Sequence, residues 1–456
     1  MRIGAVAKTL AVLGAVVLFA AVYWLGAERH LYVVNVDATR HDQSAYLDYA
    51  QQMAESNYEV VGGRNRMPVY PFILSLGYSD ELTADEWFKR AKYVNLVVSL
   101  VALVAVWATA QLALRQLDAA LLTLVAAFTL YVYKAAYTQC ELLYYTLLFL
   151  LFTSMLRLLR RPSWLVAVLA GVLAGIAYLT KAAVPPLIVL FALWGGLAAA
   201  VAWATAGGDV RGAAQRIGAV AVVLGIFLVT VLPYISTSRQ RFGEWFYNVN
   251  STFYIWYDSW DEAVAGTGAH GDMEHWPDLP PEQLPSAARY FREHTAAQVF
   301  EREVAGLKQL HRNLDAPITY GSYTLSFGAG RYLRLYAAIC LVAILLRPRL
   351  AWRIATGDRR WIAAGFVASY VIASIVLYAF YVPIAPGPRH ALALFLPVLF
   401  CVFLFLAHPA WREEPLATLA GRALTPRALH AFGVACLAYD LLFVYPNLIL
   451  IGYAGR

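Results

Sequence analysis

Apolar residues in this chain fall in long uncharged runs rather than in the short alternations of a water-soluble fold. Leu121–Leu130, Leu165–Tyr178, Ile217–Ile235 and Ala391–Ala407 are examples, and several approach the roughly 20 residues that cross a hydrocarbon core. Hydropathy predicts about eleven spans, at 10–27, 93–114, 119–135, 142–156, 164–180, 185–204, 217–235, 331–346, 361–381, 391–407 and 428–446. In lipid each run must satisfy its own backbone hydrogen bonds, which makes the spans helices, and no alternation typical of a membrane β-barrel is present. The expected fold is an all-α polytopic membrane protein. The first run follows Arg2 and Lys8. It is long for a cleaved signal and lacks a small-residue cleavage site before polar sequence, so it reads as a retained span.

Composition agrees with that picture. Hydrophobic residues make up 61% of the chain and charged residues only 14%, against about 25% charged in soluble domains. Four cysteines exclude a disulfide framework. Cys340, Cys401 and Cys436 lie inside apolar runs, where a thiol packs as a small hydrophobe, and only Cys140 falls near a membrane face. The net charge of +7 does not mark a nucleic-acid binder, because the basic residues are not gathered on one soluble domain. They mark topology instead. With the N-terminus inside, the cytoplasmic loops carry Arg115, then Arg157, Arg160 and Arg161, then Arg211 and Arg216. Arg347, Arg349, Arg353, Arg359 and Arg360 follow, and then Arg412, Arg422 and Arg427, the positive-inside pattern.

That orientation leaves two long external loops. The chain divides into a module over 1–235 with the first loop at 28–91, an external segment at 236–330, and C-terminal helices over 331–456. The second loop predicts an amphipathic helix at Ser286–Leu310, with Ala288, Phe291, Val299, Phe300, Val304 and Leu307 at near-helical spacing. Its stretch Trp245–Trp260 is dense in aromatics, readable either as an interfacial belt or as a stacking platform for sugar or lipid.

Cations on the external side break the insertion bias. Arg64, Arg66, Lys134, Lys181, Arg331, Arg334 and Arg389 all lie close to external span ends. Lys134, Arg331 and Arg334 read either as snorkelling side chains, the favoured alternative, or as members of the same set. The others, drawn from several loops, imply a shared anion, and at this depth the natural one is the phosphate of a membrane-anchored lipid. Asp37 and Asp42 follow the first span directly. Helical spacing after Asp42 puts Tyr46, Tyr49, Ala50 and Met53 on one side, so Asp42 stands at a helix start, as a simple N-cap or as a reactive carboxylate.

The run Asp42-Gln43-Ser-Ala-Tyr46, followed by Arg64-Asn-Arg66-Met-Pro68-Val-Tyr70-Pro71, resembles the first external loop of C-type (GT-C) membrane glycosyltransferases. The branch it looks like is the protein O-mannosyltransferase-like and aminoarabinose-transferase-like one. Thr138-Gln-Cys-Glu141, Leu179-Thr180-Lys181 with Pro185-Pro186, Pro233-Tyr-Ile-Ser-Thr-Ser-Arg239 with Phe242-Gly243, and Pro388-Arg389-His390 with Pro397 are similar to later family elements, in the same order. Gln43 stands where the family usually has Glu, and His390 where it usually has Tyr.

The resemblance implies a polyprenyl-phosphate sugar donor, an acceptor hydroxyl on glycan, lipid or protein, and inversion at the anomeric carbon in a bacterial inner membrane. It implies Asp42 as the base, with Asp37 its competitor. Arg64, Arg66, Lys181 and Arg389 would receive the lipid phosphate, with Tyr46, Tyr70, Glu141 and His390 as further substrate contacts. No nucleotide fingerprint is present, and no cofactor is expected, with a divalent metal left open. His270, Asp272, Glu274 and His275 concentrate ligand types, but their spacing matches no helix-borne zinc motif and reads as a solvated loop. Asp440, inside the last span, is expected to pair with a neighbouring helix.

Two rival classes remain at this level. A secondary transporter or lipid flippase would keep its ionisable groups near the midplane, not at one face. An O-antigen ligase or polymerase also uses lipid-linked donors but does not explain the Asp-then-Arg order of the first loop. The topology itself is testable. Single cysteines introduced in 236–330 should react with an impermeant thiol reagent from outside sealed cells, and those in 348–358 should not; the opposite labelling inverts the orientation.

Overall fold

The computed structural model describes residues 2–446 apart from 41, 61, 206–208, 270–279, 281, 315–316, 321–322, 327, 358–359 and 420–421. The first half runs α1 (Arg2–Val33), α2 (Gln43–Glu55), α3 (Val69–Ser75), α4 (Ala84–Gln111), α5 (Gln116–Lys134), α6 (Glu141–Arg160), α7 (Trp164–Thr180), α8 (Pro185–Ala204) and α9 (Val210–Phe242). The segment between α9 and the next long helix holds α10 (Val249–Thr252), α11 (Trp260–Ala269), α12 (Ala287–Glu293), α13 (Ala296–Asn313) and a hairpin of β1 (Pro317–Tyr320) and β2 (Tyr323–Ser326). The chain continues with α14 (Gly328–Leu346), α15 (Pro348–Thr356), α16 (Arg360–Tyr381), α17 (Arg389–Ala393), α18 (Phe395–Leu406) and α19 (Ala410–Glu413). A short hairpin, β3 (Ala417–Leu419) with β4 (Arg422–Leu424), and α20 (His430–Val444) complete it.

Seven of these helices are long and apolar enough to cross a membrane, and α7, α18 and α20 are shorter apolar helices. The remaining apolar run lies inside α1, so every segment expected to span is helical. The molecule is an all-α polytopic membrane protein.

Close packing among α6, α7, α8 and α9 builds the floor of the fold. Gly171 and Gly175 lie one turn apart on α7. A Cβ on either would sit 2.6 Å from Ile226 Cβ or 2.4 Å from Thr230 Cγ2 of α9, so the two helices meet at the small-residue distance that drives association in lipid. Buried charges tie other helices together. Asp440 on α20 pairs with Arg331 and accepts from Tyr332 Oη at 3.0 Å, while Asp118 on α5 accepts from Arg427 at 3.1 Å.

The single helix expected at Ser286–Leu310 is two helices. Ser286 caps α12, its side chain accepting from Arg289 N. Thr295 then restarts the chain as α13 through a capping box with Gln298, whose reciprocal bonds satisfy the first orphan amides of the new helix. The apolar stripe of this region also turns outward, with Phe291, Phe300 and Leu307 exposed. The packed face of α13 is instead Arg302, Gly306, Leu310 and Asn313. Arg302 donates to Phe380 O at 2.9 Å and to Asp258 at 3.1 Å, and Asn313 donates to Gly387 O at 2.9 Å. This fastens α13 and Asp258 onto the end of α16 and the turn after it.

Contact between α13 and α16 is closest at Gly306, where an added Cβ would lie 2.0 Å from the Ala379 carbonyl oxygen. Backbone cannot yield there. Gly306→Ala should therefore lower thermal stability by an overpacking cost of about 1–3 kcal/mol, whereas Phe300→Ala on the outward face should leave the melting temperature near that of the parent.

Candidate active site

Asp42 occupies the N-cap position of α2, but its backbone is left-handed, with φ 66° and ψ 8°, and its side chain makes no capping bond. For an L-residue that conformation costs on the order of 1–2 kcal/mol. The carboxylate is turned to other partners. One oxygen meets Arg66 Nη2 at 3.0 Å and the other meets Arg389 Nη1 at 2.9 Å. Arg66 precedes α3 and Arg389 opens α17, so one carboxylate joins three segments distant in sequence. The simple N-cap role is not the one Asp42 plays.

The next residue fixes this geometry. Gln43 is fully buried. Its amide nitrogen donates to Asn35 Oδ1 at 2.7 Å, Arg40 O at 3.1 Å and Asp37 O at 3.3 Å. Its carbonyl accepts from Asn35 Nδ2 at 2.6 Å, Thr138 N at 3.0 Å and Thr138 Oγ1 at 3.1 Å. Thr138 belongs to the turn between α5 and α6, whose other carbonyls, Ala135 O and Tyr137 O, accept from buried Asn95. Three residues on, that turn delivers Glu141 as the first residue of α6. The same amide therefore sets the position of both Asp42 and Glu141.

Glu141 is buried and faces Lys181 Nζ at 3.4 Å. Both line a cavity of about 610 Å³ together with Asp42, Tyr46, Arg66, Arg389 and His390. Burial works to lower the Arg389 pKa, but the Glu141 and Asp42 carboxylates outweigh it and hold the guanidinium charged. His390 is driven well below the usual histidine range by burial and by Lys181 and Arg389 beside it, so its imidazole is neutral. Burial likewise holds the Tyr46 phenol protonated, and its hydroxyl donates to Cys140 Sγ at 3.0 Å. Away from this polar end the cavity wall is apolar. Tyr178, Phe227 and Phe246 pack on one another there, beside Pro185, Ile188 and Val189.

Several buried polar atoms around the cavity have no protein partner. They are Glu141 Oε2, Arg66 Nε, Arg389 Nε and His390 Nε2. Leaving such an atom unpaired costs about 1–3 kcal/mol, and a polar ligand is the usual reason a site tolerates it.

Solved structures of one protein align with this chain. A structure of ArnT from Cupriavidus metallidurans bound to undecaprenyl phosphate aligns at 16% identity over 96% of this chain and 73% of that one, with a TM-score of 0.47. The apo structure of the same protein aligns at 15% identity over 86% and 78%, with a TM-score of 0.38. No family model matches the chain, and no curated protein matches it.

The residues singled out in the sequence part into two groups. Asp42, Tyr46, Arg66, Glu141, Lys181, Arg389 and His390 meet at the cavity. Asp37 does not line it; its carboxylate accepts from Thr39 and Arg40 on the exposed surface, and the Thr39 bonds hold it below the usual carboxylate range. Arg64 does not line it either. It is buried under the end of α9, bonded to Ser238, Thr237, Tyr234 O and Gly62 O, with its guanidinium 3.8 Å from the Tyr234 ring. Tyr70 lies behind the wall, edge-on to Tyr46 and donating to Asn95. His270, Asp272, Glu274 and His275 fall outside the described residues. Among the described residues, no three His, Cys, Asp or Glu side chains are grouped to hold a metal ion.

Part of the aromatic stretch reaches the site, with Phe246, Tyr254 and Trp260 on its wall. Tyr247 and Phe253 do not line it; they pack with Phe242, Tyr254 and Ile384 in a cluster behind the wall. Asn65, Asn248, Asn250, Tyr378 and Tyr381 also line the cavity and were not singled out from sequence. Of these, Asn65 lay between two marked arginines, and Asn248 and Asn250 lay inside the marked aromatic stretch.

Gln43 offers a direct test. Glu, the residue the resemblance would place here, keeps the shape but removes the donor that Asn35, Asp37 and Arg40 accept. Gln43→Glu should lower the melting temperature, with a cost of about 1–3 kcal/mol for the unpaired buried oxygens, and weaken ligand binding in parallel. A stable, fully binding variant would remove the amide from its central place.

Proposed function

We propose that the protein is a membrane glycosyltransferase. It transfers a sugar from a polyprenyl-phosphate donor to an acceptor hydroxyl on the external face of a bacterial inner membrane, with its N-terminus cytoplasmic. One observation carries this reading: a carboxylate clasped by two guanidiniums, with a lysine–glutamate pair beside it, at the polar end of an otherwise apolar cavity. Phosphate binds where guanidiniums can present paired donors, and a polyprenyl tail needs an apolar wall leading away from that point. The order of the first-loop and later motifs supports the same assignment.

In this mechanism the acceptor hydroxyl oxygen attacks the anomeric carbon while Asp42 takes its proton. The bond from the anomeric carbon to the phosphate oxygen breaks, and its electron pair leaves with the lipid phosphate. Arg66, Arg389 and Lys181 meet the charge that develops there. Attack opposite a departing phosphate inverts the anomeric centre. Asp42 holds the two arginines apart before the donor arrives, and the incoming phosphate takes over part of their bonding, which releases a carboxylate oxygen toward the acceptor.

This predicts a split between binding and turnover. Arg66→Ala or Arg389→Ala should weaken polyprenyl-phosphate binding about 10–100-fold, the equivalent of about 1.5–3 kcal/mol for a charge-assisted contact. Asp42→Asn removes an anion that competes for the same guanidiniums, so it should keep or raise that affinity while transfer falls about 10²–10⁴-fold. An active Asp42→Asn enzyme would overturn the mechanism, and unchanged lipid-phosphate affinity in both arginine variants would overturn the site.

A further inference from the structure

We infer that His294 is a positioning residue for this site. Held as an imidazolium, it fixes the Tyr254–Trp260 segment of the cavity wall from behind, so that proton binding outside the cavity tunes donor binding inside it. The inference rests on the lipid-phosphate reading above for what the wall receives; the charge on His294 rests on geometry of its own.

His294 is the residue at which α12 ends and the chain turns toward α13. Its Nδ1 lies 2.9 Å from Tyr290 O, and its Nε2 lies 2.8 Å from Asp258 Oδ2. A carbonyl and a carboxylate only accept, and a neutral imidazole has one N–H to give. Both contacts are hydrogen bonds only when both nitrogens carry protons. The neutral ring would turn a lone pair toward one of the two oxygens. The ring also stacks on Tyr290, with centroids 4.0 Å apart and planes 17° from parallel, where a cation gains from the face of the phenol. Burial works to lower the His294 pKa, but the Tyr290 carbonyl and the Asp258 carboxylate outweigh it and raise it above the ordinary 6.5.

Each element packed around the ring brings its own groups. Asp258 faces it from the loop before α11, and Arg302 of α13 opposes its charge. On α12, Glu293 is turned to Arg289, and Arg292 is exposed. From α16 comes the Phe380 ring, edge-on to Tyr290.

Asp258 carries the charge of His294 to the cavity. Its other oxygen accepts from Arg302 Nη1 at 3.1 Å and from Tyr290 Oη at 3.3 Å, and its backbone N–H donates to Glu262 Oε2 at 2.9 Å in the first turn of α11. Arg302 in turn donates to Ile255 O at 3.1 Å and to Phe380 O at 2.9 Å. Tyr254, Ile255 and Trp260, which flank Asp258 in the chain, line the cavity, and so does Tyr381 beside Phe380. Arg302 thus answers one oxygen of Asp258 and His294 answers the other. Loss of the His294 proton leaves that second oxygen, or the Tyr290 carbonyl, facing a lone pair, and the wall loses its tie to the junction of α12 and α13.

Because the folded-state pKa lies above 6.5, the tie is complete below that pH and is lost as pH rises through the raised value. A ligand that needs the tied wall binds more tightly while His294 is charged.

Three measurements on the purified full chain test this. Exchange of the His294 Cε1 hydrogen, followed by mass spectrometry without ligand, should give a pKa above the ordinary histidine value; a value at or below it overturns the inference. Thermal unfolding of the parent, His294→Gln and His294→Arg is then compared from about pH 5.5 to about pH 8.5, the range in which histidine titrates. The parent should be more stable than His294→Gln at the acid end and match it at the alkaline end. Arginine keeps its charge throughout, so His294→Arg should hold the acid-end advantage at every pH. Finally, affinity is measured for a polyprenyl-phosphate hexose, whose phosphodiester keeps one charge over this range. The parent should exceed His294→Gln about fivefold or more at the acid end, with the ratio falling toward one at the alkaline end, and His294→Arg should keep its affinity there. A parent-to-Gln affinity ratio that does not change with pH overturns the positioning role, since only the shape of the ring would then matter. Failure of the parent to bind the lipid at any pH overturns the proposed function and the coupling with it, while the first two measurements still decide the charge on His294.

Discussion

The site depends on the side-chain amide of Gln43. A buried group that must answer several carbonyls on one side and N–H and hydroxyl donors on the other has to be both donor and acceptor, and a neutral amide does this with two N–H donors and a carbonyl oxygen without a charge. Gln43 bridges the end of α1, through Asn35, to the turn at Thr138. Lys92 of α4 reinforces the first of these by donating to Leu31 O and Asn35 O at the C-terminus of α1, where a cation answers the unpaired carbonyls and the helix dipole. Everything catalytic in the proposal hangs from the two ends of this bridge. Asp42 is one residue before it, and Glu141 is three residues beyond the turn it holds.

A second constraint follows from putting charges beside lipid. Two guanidiniums left alone near a membrane face would be expensive, and Asp42 answers both with a tethered anion. Its left-handed backbone is the local cost of turning the carboxylate away from its own helix and toward the arginines. In the proposed reaction donor binding would exchange one anion for another, so the guanidiniums are desolvated once, on folding, and need little reorganisation.

The sequence was most legible where physics is one-dimensional. Runs such as Ile217–Ile235 had to be helices, and all the expected spans are. The cations that converge on the cavity were legible because charge at span ends that the positive-inside pattern reads as external asks for a reason, and the other residues because their motifs resemble those of a known family. Three things were not. The break at His294–Thr295 was written in the Thr295/Gln298 capping box, but the apolar stripe of Phe291, Phe300 and Leu307 masked it by running across both helices. Packing of α13 on α16 rests on Gly306, whose role is the absence of a side chain and has no hydrophobic signal. The wall formed by Asn65, Asn248, Asn250 and Tyr381 comes from segments far apart in the chain, and asparagines and tyrosines near a membrane face carry no periodicity that marks them.

Arginine illustrates how a three-dimensional criterion separates residues that are equivalent in sequence. Arg64 and Arg66 lie two residues apart on the loop between α2 and α3, and the charge pattern of the sequence treats both in the same way. Arg64 spends all three guanidinium nitrogens on Ser238, Thr237, Tyr234 O and Gly62 O, and its ring contact with Tyr234 closes the remaining face. It is a bolt between the first loop and α9, buried away from the cavity. Arg66 and Arg389 each keep a buried Nε without a partner beside the cavity. A cation in such a protein therefore serves structure when it is bonded away from the cavity and is open to a ligand when it lines the cavity with a donor in reserve, and in the proposed site that distinction, not the position of the charge along the chain, selects Arg66 and Arg389.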